Sequence, residues 1–434
     1  MKQFSKAIIS TLFVAVFICC TLSVVVAQDT EVEAKGMGLK RDDALQDALR
    51  NAVSQAAGVA LTSETKVENF VVIQDAVSSR TSGYITSYTV TKETPFPDRY
   101  EVTVKAKVSM VPLKADINLL AKSVGGIRFM VMYDARNVKT EEADNYEYAI
   151  ERVNEYLSGK KIRYIDKSRF DQLKKEAQGI MQTGDTPEET YVQTLGFKAD
   201  AQFIIFIKKI GLTTKSEAFD TRTSTKVTIE VKAYDNCTAE GLGTVVLESP
   251  YKSSQSGGIQ AGIADALKNN LDTLMSVFNS YIGTWVNNGT PYELRFYSCG
   301  TYRDFRDLRT KLKADNDFGG DMEIVSMENF TKLNCTFKKK PDELADKILD
   351  YADQIEALKA KVLDVRFIYG RQINFAPQNV VVPELQEQQK NAGTGTETKP
   401  AADQGKGTAT PKPAGKGTQT KPKTTPKPAS TKKK

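Results

Sequence analysis

Any chemistry in this chain has to come from carboxylates, hydroxyls, thiols, Lys and Arg, because its 434 residues include no histidine. That absence removes Ser-His-Asp and Cys-His activation of a nucleophile, His-ligated zinc and the usual general base at neutral pH. A carboxylate pair of the glycosidase kind survives the test. With 54 Asp and Glu in the chain, however, the choice of any two carries no information. Five cysteines occur, and Cys19 and Cys20 fall in an N-terminal apolar run, which leaves Cys237, Cys299 and Cys335. No CxxC spacing is present, so neither a zinc ribbon nor a thioredoxin-type motif is available. Cys299 and Cys335 fall on expected strands of one unit and are the favoured disulfide pair, with three buried free thiols as the equal alternative. The stretch Gly257-Gly258-x-x-x-Gly262 leads into a helix but lacks a Gly-Lys-Ser/Thr ending, so it reads as an ordinary cap rather than a phosphate loop. Catalytic, cofactor-binding and metal-binding residues are therefore all expected to be none, and no cofactor is expected.

A second chemistry lies in charge. From Lys390 to Lys434 there are eleven Lys against Glu397 and Asp403, a net of +9 in a chain whose formal charge is +6. Everything before that segment sums to −3, so the folded part is not basic and nucleic acid is not an expected partner. Lys412, Lys416, Lys421, Lys423, Lys427, Lys432, Lys433 and Lys434 are the candidate contacts to an anionic cell-wall or membrane surface. The plainer alternative is a solvated tail. Gly, Thr, Pro, Lys, Gln and Ala dominate from Pro377 onward with no apolar period, so residues 376–434 are expected to be disordered.

The elements that would position such groups follow from periodicity. At the start, Lys2 and Lys6 precede a nearly unbroken apolar run from Ala7 to Val26, and Val25-Val26-Ala27 offers a small-residue exit. Residues 1–27 read as a cleavable secretory signal peptide. No later segment is long and apolar enough to cross a bilayer. Behind it, Asp42 and Asp43 cap a helix whose apolar positions Leu45, Ala48, Leu49, Ala52, Val53 and Ala56 keep the 3.6 period, closed by Gly58. Val67 to Ile73 reads as a short strand or helical turn, Gly83 to Val90 as a strand, and Tyr100 to Val108 alternates as a half-buried strand.

The run Glu33-Ala34-Lys35-Gly36-Met37-Gly38, then Ala44-Leu45-x-x-Ala48-Leu49-Arg50-x-Ala52, Gln55-Ala56-Ala57-Gly58, Val67-Glu68-Asn69-Phe70 and Ser82-Gly83-Tyr84-Ile85-x-Ser87-Tyr88 resembles the N-terminal domain of the flagellar assembly protein T family. The resemblance covers Glu31 to Val111. It implies a small α/β domain in a periplasmic, ring-associated assembly protein, with no catalytic residues to carry over. Taken without it, Gly36, Gly38 and Gly58 serve turns and a helix end, and Tyr84 and Tyr88 line one packed face of a strand.

A second unit opens with the buried strand Ile127 to Tyr133, then a helix through Ala149, Val153, Tyr156 and Leu157. Lys161 to Ile165, a Ser168-capped helix and a helix from Pro187 to Leu195 follow, ahead of the strand Ala201 to Ile207. Alternation of strand and helix implies a partly parallel sheet, to which Lys226–Asp235 and Gly243–Glu248 add antiparallel neighbours. The order is similar to that of the middle domains of the same family and of curli-secretion or TolB-type envelope proteins. A third unit has βαββα order: strand Tyr292 to Cys299, helix Tyr302 to Leu312, strands Met322–Met327 and Thr331–Lys338, and a helix from Pro341. Val365 to Phe375 is expected to close its sheet. On the last helix Leu344, Ile348, Tyr351, Ile355, Leu358 and Val362 form a short heptad seam. It could pair subunits, although at under three heptads packing on its own sheet is the favoured reading.

The expected fold is thus α/β (α+β): two or three small α/β sandwich modules with mixed sheets. An N-terminal αββ module spans 28–115, a middle α/β domain 124–250 and a C-terminal α/β module 255–375. The expected function is that of a non-enzymatic exported envelope assembly or scaffold protein, acting through contacts with envelope proteins or with itself as a homo-oligomer, such as in a flagellar basal-body-associated ring. The alternative is a cell-wall or anionic-surface binding module tethered by its lysine tail, and the third reading is an exported carboxylate-dependent hydrolase. A periplasmic location is expected.

Overall fold

A computed structural model describes residues 29–62, 68–180, 187–216, 223–253, 258–326 and 329–383. The fold is α/β, with helices layered on mixed and antiparallel sheets. The N-terminal sheet has the order β1-β3-β2, from β1 (Asp29–Gly38), β2 (Ile85–Pro95) and β3 (Tyr100–Ser109). Both pairings are antiparallel. Helix α1 (Arg41–Thr62) crosses it with a face of small residues, Ala44, Ala48 and Ala52, on Val102, Val104 and Ala106. Small side chains on both elements bring the backbones close. At Gly36 and Gly38 an added Cβ would overlap the backbone of α1 at Ala44 and Ala48. These two glycines therefore serve close packing of strand on helix, not turns, and Gly58 lies inside α1 rather than at its end. Tyr84 and Tyr88 do not share a face: Tyr84 is buried, whereas Tyr88 is 47% exposed. A bulge between Ile85 and Ser87 shifts the alternation between them.

Beyond the small-residue face, α1 enters a second, larger core. There it meets α2 (Phe70–Ser78), α3 (Met110–Val124) and the middle sheet. Of the expected segment 67–73, residues 70–73 start helix α2 and Val67 lies outside the described residues, while β1 and α3 add elements that periodicity did not single out. Asn69 joins these parts. It takes a left-handed φ of 54° ahead of α2, its Nδ2 donates to the carbonyls of Val124 (2.8 Å) and Ile127 (2.9 Å), and its Oδ1 accepts from the Arg163 N–H (2.8 Å). An αL conformation suits Asn better than most residues.

The middle sheet runs β4-β5-β6-β7: β4 (Phe129–Met132), β5 (Phe203–Ser216), β6 (Thr223–Asp235) and β7 (Glu240–Glu248), with β8 (Lys252–Ser253) also on β6. β4 and β5 are parallel, and the later pairs are antiparallel. Between β4 and β5 come α4 (Thr140–Gly159), α5 (Lys167–Ile180) and α6 (Glu188–Ala199). α5 is capped by Asp166, whose Oδ1 accepts from the N–H (2.9 Å) and hydroxyl (2.5 Å) of Ser168, so the cap lies two residues before the expected one. The long α7 (Gly258–Asn288) covers the opposite face from α6. Phe278 of α7 packs on Phe203 (5.3 Å between ring centroids), while Gly196 of α6 lies against Ile204, the next residue along β5. Gly262 gives α7 its close approach to Val227.

This helix corrects the expected division of the chain. Assigned by sequence to a third unit, α7 instead buries Ile263, Leu267, Leu271, Leu274 and Phe278 in the core shared by the N-terminal and middle elements. Its Asn279 donates to Asp75 of α2 (3.0 Å). Residues 29–383 fall within one compact unit.

The last sheet has the order β10-β11-β9-β13-β12, from β9 (Thr290–Tyr297), β10 (Phe318–Ser326), β11 (Phe330–Phe337), β12 (Leu363–Tyr369) and β13 (Gln372–Pro377). Only β9 and β13 pair in parallel; the remaining neighbours are antiparallel. Helices α8 (Tyr302–Lys313) and α9 (Pro341–Ala352) lie on one face, burying Phe305, Leu308, Leu344 and Ile348 on Leu294, Phe296 and Leu333. This is a split βαβ arrangement with a further strand inserted. The segment expected as one closing strand, 365–375, is a hairpin of two.

Candidate functional site

The most deeply buried ion pair among the described residues sits where the β12–β13 hairpin meets the middle sheet. The hairpin turns at Gly370-Arg371. Gly370 has φ +53°, and a Cβ there would stand 2.7 Å from Gln202 Cγ and 2.8 Å from Cys237 Sγ. Only glycine lets the tip press this far in. Arg371 then donates from Nη2 to Asp235 Oδ1 (2.5 Å) and from Nη1 to the Pro291 carbonyl (3.4 Å). Its guanidinium lies over the rings of Trp285 (4.6 Å) and Phe203 (5.5 Å). Asp235, fully buried, also accepts from the Tyr281 hydroxyl (2.8 Å) and the Cys237 N–H (3.0 Å). Tyr369, just before the turn, donates to the Ala201 carbonyl and accepts from Asn236 Nδ2 (2.9 Å). Burial alone would pull the Arg371 guanidinium's pKa down, and the Asp235 carboxylate more than reverses it. A buried charge pair of this kind is costly to break and adds little by merely existing. Its chemical role is a latch between the last sheet and the middle one.

A second polar cluster stands at the C-terminal end of β4, the place where open α/β sheets commonly hold ligands. Asp134 accepts from Arg136 Nε (2.9 Å) and Nη2 (2.7 Å) and from Asn137 Nδ2 (3.0 Å), and Arg136 stacks on Tyr191 (4.3 Å). Beside it Glu147 accepts from the Tyr133 hydroxyl (2.7 Å), Lys174 (2.6 Å) and Lys167 (2.8 Å), while Lys167 also reaches Asp171 (2.7 Å). Each carboxylate is matched by a cation, so this end of the sheet is neutral within itself. Burial pushes the Glu147 carboxyl up, but the hydrogen bonds from Lys167, Lys174 and Tyr133 outweigh it and leave its pKa lowered. A lowered native pKa contributes stability above the ordinary Glu value of about 4.3. That stability is lost as pH falls through the native value. Glu147→Gln is therefore expected to flatten the acid side of a stability-against-pH curve measured by urea denaturation. An unchanged slope below pH about 4.3 would count against this network.

Among the cavities on the surface of the described residues, one of about 610 Å³ is lined by Glu68, Asn118, Lys122, Gly125, Gly126 and Lys340, and another of about 340 Å³ lies between α4 and α7. Neither brings two carboxylates together. Glu68 is tied to Arg163 (2.5 Å) and Glu155 to Arg152 (2.7 Å). Among the described residues no group of three His, Cys, Asp or Glu could hold a metal ion. No helix among them is long and apolar enough to cross a membrane.

The sequence-derived candidates fare differently. Cys299 and Cys335 are both buried free thiols, as is Cys237, so the expected disulfide is not formed. Cys335 pairs across the sheet with Tyr292, seven residues before Cys299. At ~3.3 Å per residue the two lie roughly 20 Å apart along the strands, well beyond disulfide reach. Burial pushes all three thiols up to about 12. None of the three is expected to react with Ellman's reagent in the native chain, and all three should react once it is unfolded; rapid native labelling of any of them contradicts this packing.

The heptad seam is not a surface. Leu344, Ile348 and Leu358 are fully buried and Ile355 nearly so, all in the core of their own sheet. The helix also breaks: α9 ends at Ala352, the short α10 (Glu356–Lys359) follows, and Val362 has a left-handed φ of 48° and is 67% exposed. Tyr351 turns its hydroxyl to Asp315 (2.9 Å). The tail lysines Lys412 to Lys434 and the expected signal peptide lie outside the described residues. Arg371 and Asp235 were missed by sequence reasoning. Tyr369-Gly370-Arg371 between two apolar runs does signal a turn, but nothing local pairs residues 136 positions apart.

No family model matches the chain, and no curated protein matches it. Among solved structures, it is similar to the crystal structure of the secreted protein HP1454 from the human pathogen Helicobacter pylori, at 9% identity and a TM-score of 0.14. The match covers 58% of this chain and 98% of that one. At that TM-score the likeness assigns neither fold nor function.

Proposed function

We propose that this chain is an exported, non-enzymatic assembly or scaffold protein of a cell envelope, working through protein contacts in a periplasm. The observation that carries the reading is the Arg371–Asp235 latch: the most buried ion pair among the described residues joins the last sheet to the middle one. The neutral cluster at the end of β4 supports it, since its cations are spent on its own carboxylates. The signal-like N-terminus and the resemblance of residues 31–111 to the flagellar assembly protein T family point the same way, as does a sequence without histidine. The test is chemical crosslinking of the mature chain in isolated envelopes, with analytical ultracentrifugation of the purified protein. Higher-order species or a discrete envelope partner is the expected result. A strictly monomeric chain that captures nothing would overturn the reading.

Charge separation favours a second reading, attachment by the tail, because residues 390–434 carry +9 and everything before them −3. Deletion of Lys390 to Lys434 should then abolish salt-sensitive sedimentation with envelopes. Sedimentation that survives the deletion refutes attachment by the tail.

A further inference from the structure

The N-terminal sheet ends in two unlike edges. β2 is bulged twice, between Ile85 and Ser87 and between Val90 and Lys92, and bulges hinder the addition of a further strand. β1 instead pairs with β3 residue for residue, from Asp29 with Ser109 to Gly38 with Tyr100. In an antiparallel pair, successive residues turn their N–H and C=O alternately toward and away from the partner. Three contacts fix the phase. Ser109, opposite Asp29, donates away from β1 to the Tyr84 carbonyl (2.8 Å), the Met37 N–H donates to Asp47 Oδ2 (2.9 Å), and the Lys35 carbonyl accepts from Asn51 Nδ2 (2.9 Å). The odd-numbered residues of β1 therefore face away from β3. Side chains of α1 seal this edge at Lys35 and Met37, but the N–H and C=O of Glu31 and Glu33 lie on the same free side and meet no partner among the described residues.

Charge marks the open stretch. Asp29, Glu31 and Glu33 are exposed on the solvent face of the strand, and among the described residues only Glu31 has a cation, Lys105 (3.1 Å). On the opposite face Val32 and Ala34 pack toward α1. A second copy of β1 fits badly here: antiparallel pairing sets Glu31 beside Glu33, or Glu33 beside itself, and like charges directly opposite destabilise a sheet. The lysine tail of this chain is basic, but Pro411, Pro413, Pro422, Pro426 and Pro428 interrupt it, and proline cannot donate to a ladder. We infer that the edge from Asp29 to Glu33 receives an extended basic segment of a partner protein, in which Lys or Arg alternates with small apolar residues. Its main chain bonds Glu31 and Glu33, its cations meet the three carboxylates, and its apolar side chains lie beside Val32 and Ala34, so that the sheet becomes four-stranded. The inference rests on the assembly reading above for the existence of a partner and names the segment such a partner presents.

The test is titration of the full chain with a capped heptapeptide of alternating lysine and valine, read by fluorescence polarisation and by amide hydrogen exchange in NMR. Binding is expected to slow exchange at Glu31 and Glu33, which exchange freely in the chain alone, while Val32 and Ala34 are protected throughout. Glu33→Pro deletes a donor that the β3 ladder does not use, and should weaken the peptide by about tenfold or more. Glu33→Lys keeps that donor, and should lower affinity for the lysine peptide while raising it for a glutamate–valine one, which keeps the inference testable if the proline variant fails to fold. It is overturned by no binding, by protection gained elsewhere, by equal binding of the two peptides to the native chain, or by unchanged affinity in Glu33→Lys. Protection of Glu33 without peptide overturns it as well: dependence on protein concentration would name a second copy as the occupant, and loss of that protection on deletion of residues 390–434 would name the tail. A chain that crosslinks in envelopes yet ignores the peptide refutes this edge alone, and one that binds the peptide yet captures nothing refutes the assembly reading alone.

Discussion

Arg371→Met is expected to destabilise the chain by about 3 to 5 kcal/mol, the cost of leaving a buried carboxylate without its partner. Asp235 has no exposed surface, and the Tyr281 hydroxyl and Cys237 N–H that remain to it are neutral donors. Trp285, the single tryptophan, lies under the guanidinium and reports the transition by fluorescence during urea denaturation. The companion variant decides the mechanism. Arg371→Met with Asp235→Leu removes both charges, and a well-packed apolar pair in place of a buried ion pair is often neutral or better. The double variant should therefore be more stable than the single one. If it is equally or less stable, the loss comes from packing of the hairpin tip and not from the stranded charge.

Gly36→Val should have the next largest effect, a loss above about 3 kcal/mol or failure to fold, because the added carbons meet backbone and not a movable side chain. The atoms in the way are the amide of Ala48 and the carbonyl of Ala44, both within the first turns of α1. The helix would have to lift off Val102, Val104 and Ala106, which its small residues now touch. Gly126→Ala is the control. A Cβ at Gly126 meets nothing within 4 Å, so that change should move the midpoint of thermal unfolding very little. Comparable losses at the two positions would show that loss of glycine, and not the strand-to-helix approach, is responsible.

These two cases show what the residue pattern could and could not convey. Period-3.6 and period-2 patterns marked α1, β3, α8 and α9 because each has one wet face and one buried face, and that contrast is written locally. The order of strands and helices likewise conveyed a mixed α/β fold. The same patterns were blind to assignment. α7 has the periodicity of any amphipathic helix, and nothing in Ile263, Leu267 and Leu271 says which of two sheets they cover. The seam on α9 was legible as apolar spacing, yet spacing cannot say whether the partner is a second helix or the sheet beneath. Glycines at 36 and 38 looked like turn residues because close backbone approach and turn formation use the same amino acid. The candidate site was the least legible part. Arg371 and Asp235 are ordinary charged residues at turns, and only the fold shows that their surroundings contain no water-facing surface.

The distance in sequence between those two residues also sets an order of events during synthesis. Asp235 leaves the ribosome 136 residues before Arg371. At ~5 to 20 residues per second that is an interval of roughly 7 to 27 s. Throughout it Asp235, at the end of β6, lacks the cation that is its partner in the finished fold. The apolar face of β6 and β7 waits as well, for α7, which ends 40 residues after β7. A nascent chain halted between those two points holds these strands with one side bare, and the latch closes only once the hairpin has been made.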